Sequence, residues 1–259
     1  MTDHLQLSDR DGVRLLTIDR PDVKNALHGE LRSALVTVLG EADAADGVRV
    51  VVLTAVDPVF SAGVDFKNLE RGPGETGSPL DVNPASAVRA MSKPVICAVN
   101  GACVSGALEI ALSCSFVVAS ERARFADTHA LLGVVPTWGL TALLPRAVGV
   151  RKAREMSITG AFVAAAEALR IGLVNHVVPH EQLLPFSLGL AKQIPATPAV
   201  SEVLDLYARG QDMSLGAALA LETSHSLGRK YDLAAFTAAG RQTAARQRER
   251  ESPTTERPW

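Results

Sequence analysis

From Pro94 to Ser120 the chain carries one charged residue, Glu109. A stretch this apolar either crosses a membrane or lies inside a globule, because a spanning helix takes about 20 apolar residues in a row. Pro94 opens it, and Asn100, Gly101, Ser105, Gly106 and Ser113 interrupt it. A carboxylate at mid-span would also cost about 2.5–3.5 kcal/mol on insertion scales. The stretch therefore reads as a buried strand–loop–helix unit with Glu109 as an almost buried acid, and no membrane contact is expected.

The rest of the chain supplies partners for that unit. Runs rich in β-branched residues at Val13–Asp19, Val48–Thr54, Val95–Val99 and Phe116–Ala119 read as short strands. Leu27, Leu31, Leu35 and Leu39 recur every four residues and predict a helix over Leu27–Ala42. Strands that are apolar almost throughout, alternating with helices, predict an α/β fold with a parallel sheet covered on both faces. At 259 residues and 47% hydrophobic content the chain is long enough to fill such a core. Beyond about residue 196 the pattern turns purely helical, with helices expected at Pro198–Gly210, Ser214–Leu227 and Asp232–Arg246. Their apolar faces need a surface to cover, and an oligomer contact is expected. The charged Arg246–Trp259 segment with its two prolines reads as a frayed end.

Several function classes fall away on composition. The balance of 26 Lys+Arg against 28 Asp+Glu provides no basic field for nucleic acid. Cys97, Cys103 and Cys114 have neither the spacing nor the even count of a zinc site or a disulfide framework, which suits a reduced, cytoplasmic setting. The polar start, Met1 to Gln6, does not read as a signal peptide. Gly72-Pro-Gly-Glu-Thr-Gly77 spells a dinucleotide fingerprint but lacks a strand before it and a helix after it. Pro73 also removes a backbone donor there, so a loop is expected.

Three segments carry chemistry. In Val59–Asp65, the Ala62-Gly63 pair lets backbone approach a ligand closely, with Asp65 placed to cap a helix-like Asp65–Arg71; by composition alone it is also an ordinary turn. In Ala98–Leu112, a small-residue turn leads into a helix starting near Ser105-Gly106, whose free N–H groups favour an anion. Glu109, three residues beyond Gly106, returns to nearly the same face as a usable acid or base, unless it merely pairs with Arg122 or Arg124. The loop Ala123–Gly139 holds Asp127 and His129, and His129 is either a proton-handling partner for Glu109 or a hydrogen-bonded structural residue.

Five ordered stretches together resemble the enoyl-CoA hydratase/isomerase, or crotonase, superfamily: Arg20-Pro-Asp-Val-Lys-Asn-Ala-Leu27, Phe60-Ser-Ala-Gly-Val-Asp65, Lys93-Pro-Val-Ile-Cys-Ala-Val-Asn-Gly101, Leu132-Gly-Val-Val-Pro136 and Ala164 to Val178. The resemblance implies a crotonase-like spiral of β-β-α units over residues 1–195 holding an acyl-CoA site. Residues 196–259 would form a C-terminal α-helical oligomerisation region that builds a homotrimer or homohexamer. It implies an oxyanion hole from the N–H groups of Ala62 and Gly106 around a thioester carbonyl. Lys24 and Ala26 would lie near the adenine end, Gly63, Val64 and Asp65 along the acyl-CoA path, and Trp138 and Gly139 beside the substrate. Coenzyme A arrives as part of the substrate, so neither a cofactor nor a metal is expected. Family hydratases add water to a 2-enoyl-CoA with two glutamates; Glu109 matches the first, and His129 stands where the second is expected. Glu109 with His129, or Glu109 with Asp127 or water, would then handle the protons. Isomerisation, decarboxylation, thioester hydrolysis and acyl-CoA binding without chemistry are the alternatives.

Overall fold

The computed structural model describes residues 3–65, 82–230, 236–237 and 240–241. The expected helix running to Arg71, the Gly72–Gly77 loop, most of the Asp232–Arg246 helix and the last segment lie outside the described residues. Two compact units divide the chain, Met1–Asp205 and Leu206–Trp259.

The first unit begins with β1 (Leu5–Arg10), β2 (Val13–Ile18), α1 (Gly29–Ala44), β3 (Val50–Ala55), α2 (Pro84–Ala90) and β4 (Val95–Val99). It continues through β5 (Ala102–Val104), α3 (Gly106–Ser113), β6 (Phe116–Ser120), β7 (Arg124–Ala126), α4 (Leu140–Val148) and α5 (Val150–Thr159). It closes with β8 (Val163–Ala164), α6 (Ala165–Arg170), β9 (His176–Val178), α7 (Leu183–Gln193) and the start of α8 (Ala199–Gly210). The second unit starts inside α8 and contains α9 (Leu215–Gly228), on which Leu215, Leu219 and Leu227 are exposed. The sequence boundary at residue 195/196 falls between α7 and α8.

Six strands form one sheet in the order β1-β2-β3-β4-β6-β9, parallel except for the β1–β2 hairpin. A second sheet has the order β5-β7-β8, with β5 and β7 parallel. Two β-β-α units are visible in this order, β4-β5-α3 and β6-β7-α4, each sending one strand to each sheet. The large sheet is covered on both faces: Val51, Leu53, Cys97 and Val99 join the main core, while Val50, Val52, Ile96 and Ala98 pack with Leu183 and Ala191 of α7. Two-sided burial is why β3 and β4 are buried at every position and read as continuous apolar runs rather than alternating ones. The stretch with one charge is thus β4, β5, α3 and β6, and among the described residues no helix is long and apolar enough to cross a membrane.

One local expectation is shortened. The four-residue leucine spacing runs back to Leu27, yet α1 starts at Gly29, with His28 at its N-cap. Leu27 is held instead in a β-bridge with Val64, its N–H donated to the Gly63 carbonyl at 2.8 Å and its own carbonyl accepting the Asp65 N–H at 3.2 Å. That bridge brings the segment around Lys24 to Ala26 against the loop that follows β3.

Candidate active site

The site is built where β5 ends, and its backbone half comes first. Between Ser61 and Asp65 nearly every amide already has an acceptor. Ser61 donates to the Ala102 carbonyl at 3.0 Å, Ala62 to the Lys24 carbonyl at 3.0 Å, Gly63 to its neighbour Ser61 Oγ at 3.1 Å, and Asp65 to Leu27. Among the described residues only the Val64 N–H in this segment has no acceptor. The expected oxyanion donor Ala62 is therefore corrected: Lys24, in a left-handed conformation at φ 57°, turns its carbonyl onto that amide and occupies it.

The second free amide is that of Gly106, the first residue of α3, which has no intrahelical partner. The two glycines fit the loops together. A Cβ on Gly63, whose φ is +89°, would stand 2.8 Å from the Val104 carbonyl and 3.3 Å from the Gly106 nitrogen; one on Gly106 would meet Val64 Cγ2 at 3.3 Å. Among the described residues Val64 and Gly106 thus present neighbouring N–H groups without an acceptor, Val64 in place of the expected Ala62.

Ser105 sets the angle at which α3 begins. Its φ of 49° and ψ of −110° lie where L-residues are rarely found. Its N–H donates to the Ala126 carbonyl at 2.9 Å, its Oγ accepts the Thr128 N–H at 3.0 Å, and the two hydroxyls meet at 2.8 Å. These bonds fasten the Gly106 amide to the segment bearing Asp127 and His129.

Glu109, 1% exposed, lies in the first turn of α3. Its Oε1 accepts the N–H of Trp138 at 2.7 Å and of Leu140 at 3.1 Å, and its Oε2 faces His129 Nε2 at 3.8 Å. Pairing with Arg122 or Arg124 is thereby replaced by backbone amides; Arg124 lies instead over the Phe162 ring. Burial pushes the Glu109 carboxyl above its ordinary range, against the pull of the Leu140 and Trp138 amides and of His129. The turn that holds it is braced by Arg89, whose guanidinium donates to the Trp138 carbonyl at 2.9 Å and to Ser113 Oγ at 2.8 Å. Gly139 serves this turn at φ 118° as the N-cap of α4.

His129 is held from the other side. Its Nδ1 lies 2.6 Å from Asp127 Oδ1, which also accepts the His129 backbone N–H at 3.2 Å. Burial raises the Asp127 carboxyl, but hydrogen bonds from the His129 ring, from Ser157 and from the His129 amide outweigh it and hold it below the usual range. An ionised Asp127 needs a hydrogen on Nδ1, which leaves Nε2 to face Glu109. Oε2 and Nε2 are too far apart to bond each other directly, yet one water between them reaches both.

The remaining expected residues are less central. Ala26 is buried and its carbonyl accepts from Arg20 at 3.0 Å; the same Arg20 pairs with Asp65 at 2.6 Å, so this carboxylate serves an ion pair. Lys24 is exposed, and Trp138 is buried with its ring against Gly106. Among the described residues no group of three or more His, Cys, Asp or Glu is placed to hold a metal ion. Sequence reasoning missed Arg89, Leu140, Ser157 and the anchoring by Ser105, none of which carries a local signal of its role.

Known proteins share this arrangement of elements. The sequence model of the Enoyl-CoA hydratase/isomerase family matches residues 8–226. The chain is 34% identical over 214 residues to "Probable enoyl-CoA hydratase 1, peroxisomal" of Arabidopsis thaliana, covering 82% of this chain and 80% of that one. It is 35% identical over 217 residues to the short-chain-enoyl-CoA hydratase of Clostridium acetobutylicum, covering 82% and 83%. The crystal structure of an enoyl-CoA hydratase from Mycobacterium tuberculosis H37Rv superposes with a TM-score of 0.74 at 44% identity, covering 86% of this chain and 97% of that one.

Proposed function

This chain belongs to the enoyl-CoA hydratase/isomerase family, and we propose that it is a hydro-lyase that adds water across the double bond of a 2-enoyl-CoA. One observation carries the assignment: a buried carboxylate with one oxygen pinned by two amides turns its other oxygen to a histidine at 3.8 Å, beside two N–H groups that have no acceptor among the described residues.

The thioester oxygen sits between the Val64 and Gly106 amides. Glu109 Oε2 takes a proton from the bound water as the water oxygen bonds to Cβ, and the π electrons move onto the thioester as an enolate. The two amides hold that oxyanion; removing one such donor typically costs about 10²–10³ in rate. His129, as imidazolium, then delivers its Nε2 proton to Cα as the enolate collapses. Glu109 ends protonated and His129 neutral, and return of the proton from Oε2 to Nε2 restores the pair. The Asp127 carboxylate, 2.6 Å from Nδ1, keeps the ring oriented. Water addition is redox-neutral, so the reaction balances with coenzyme A entering only as part of the substrate.

Lys24 and Ala26 are assigned to the nucleotide end of coenzyme A, with Gly63, Val64 and Asp65 along its path. Residues 1–195 then form the catalytic core, and residues 196–259 a contact region. The exposed leucines of α9 support a homotrimer or homohexamer, and a cytoplasmic setting suits the unpaired thiols.

Loss of the 2-enoyl thioester absorbance with crotonyl-CoA and longer substrates, with 3-hydroxyacyl-CoA as the product, is the expected result. Conversion of 3-enoyl to 2-enoyl thioesters without hydration would reassign the chain to isomerisation. Tight binding of acyl-CoA with no product would leave a binder.

A further inference from the structure

Among the described residues, the buried Nε1 of Trp138 and Nδ1 of His28 have no hydrogen-bond partner. Trp138 is 2% exposed and rests the Cζ3–Cε3 edge of its ring on Gly106, where a Cβ would come within 3.0 and 3.4 Å. Nε1 lies on the opposite edge of an indole, so this N–H points away from the Gly106 amide, across the width of the ring. The Arg32 guanidinium stands over the same ring, 6.0 Å from its centroid. His28 precedes Arg32 by one helical turn, and its neighbour Leu27 is bridged to Val64. The Trp138 ring thus lies between Gly106, at the start of α3, and a cationic side chain of α1.

Buried donors are almost always bonded, and an orphan one needs an explanation. Trp138 has a structural task, since its backbone N–H bonds Glu109, but that task uses no indole nitrogen. A hydrocarbon tail laid against the ring would leave Nε1 unsatisfied in the complex as well. An oxygen on the acyl chain would not.

Resting on the hydro-lyase assignment above, we infer that the preferred substrate carries an oxygen acceptor, a carboxylate or a carbonyl, on its acyl chain beyond the reacting carbons, and that Trp138 Nε1–H donates to it. Trp138 then selects the substrate through its side chain while its backbone positions Glu109.

The test compares six-carbon thioesters of equal length. Binding of hexanoyl-, adipyl- and 5-oxohexanoyl-CoA is measured by calorimetry, and kcat/KM is measured for the corresponding 2-enoyl thioesters. A site that hydrogen-bonds its substrate rejects the analogue lacking the polar group, so at least one oxygenated chain should be preferred by about tenfold or more. A preference for adipyl identifies an acid; a preference for the oxo chain identifies a neutral carbonyl. In Trp138→Phe the ratio of oxygenated to plain substrate should fall to near one, whatever the absolute rate. Equal or weaker binding of both oxygenated chains by the wild type overturns the inference, as does a preference that survives in Trp138→Phe. If no 2-enoyl-CoA is hydrated but the binding preference holds, the hydration assignment fails and the recognition by Trp138 stands. Hydration without preference sinks the recognition alone.

Discussion

The two halves of this site are made of different material. The half proposed to meet the thioester oxygen is backbone, the Val64 and Gly106 amides, fixed by β-bridges and by the start of α3. The half proposed to move protons is side chain: Glu109, His129 and Asp127, each oriented by a neighbour. Backbone donors keep their position under most side-chain changes and fail only where added bulk separates the two loops. Side-chain acids and bases fail one atom at a time, which makes the two halves separable by mutation.

The largest effect is expected on the side-chain half. Glu109→Gln keeps an oxygen for the Trp138 and Leu140 amides but removes the base, and hydration should fall by about 10³ or more. Stability should move the other way. Because burial raises the folded-state carboxyl, its favourable contribution exists below the ordinary glutamate pKa of about 4.3 and is lost as pH rises through the folded value. Glu109→Gln should therefore match the wild type in melting temperature at low pH and exceed it at neutral pH. A variant less stable at every pH would mean that Oε2 has a structural bond.

Next comes the backbone half. Gly63→Ala places a methyl 2.8 Å from the Val104 carbonyl at a positive φ, so the loop must shift and carry the Val64 amide with it. Hydration should drop by about 10²–10³, the cost of one oxyanion donor, with Glu109 still in place. Binding of a saturated acyl-CoA should weaken far less; an equal loss in both would make the damage general.

His129→Ala should lower kcat by about 10² with little change in the binding of a saturated acyl-CoA. An unchanged kcat would assign the Cα proton to another group. Asp127→Asn is the gentlest change, expected at about tenfold in kcat, because the ring loses the carboxylate that holds Nδ1 at 2.6 Å and orients Nε2. The Asp127 carboxyl is held low in the folded state, so it stabilises the fold above the ordinary aspartate pKa of about 3.9 and ceases to as pH falls through the folded value. The stability gap between wild type and Asp127→Asn should close in acid.

Much of the first unit was legible because periodicity and burial act locally. The strands at Val95–Val99 and Phe116–Ser120 and the helix starting at Gly106 stand where apolar runs and the Ser105-Gly106 turn place them. Leu27 read as helical because its spacing matches, but its bridge to Val64 is a long-range contact that no local pattern reveals. Ala62 and Val64 share the same loop composition and differ only in whether a carbonyl from Lys24 arrives opposite the amide. Arg89 gives no signal at all, since its task depends on where the Trp138 carbonyl ends up.

The fold class, the burial of one acid in an uncharged stretch, and the proximity of that acid to a helix N-terminus follow from residue type and spacing along a single segment. Which amide of the Ser61–Asp65 loop keeps no acceptor among the described residues, which Glu109 oxygen faces His129, and which indole N–H is left without a partner are not written in any one segment. Each of those is settled by where a distant backbone carbonyl or amide lands once the sheets close, and the hydrogen-bond partner of a group is a property of the packed chain.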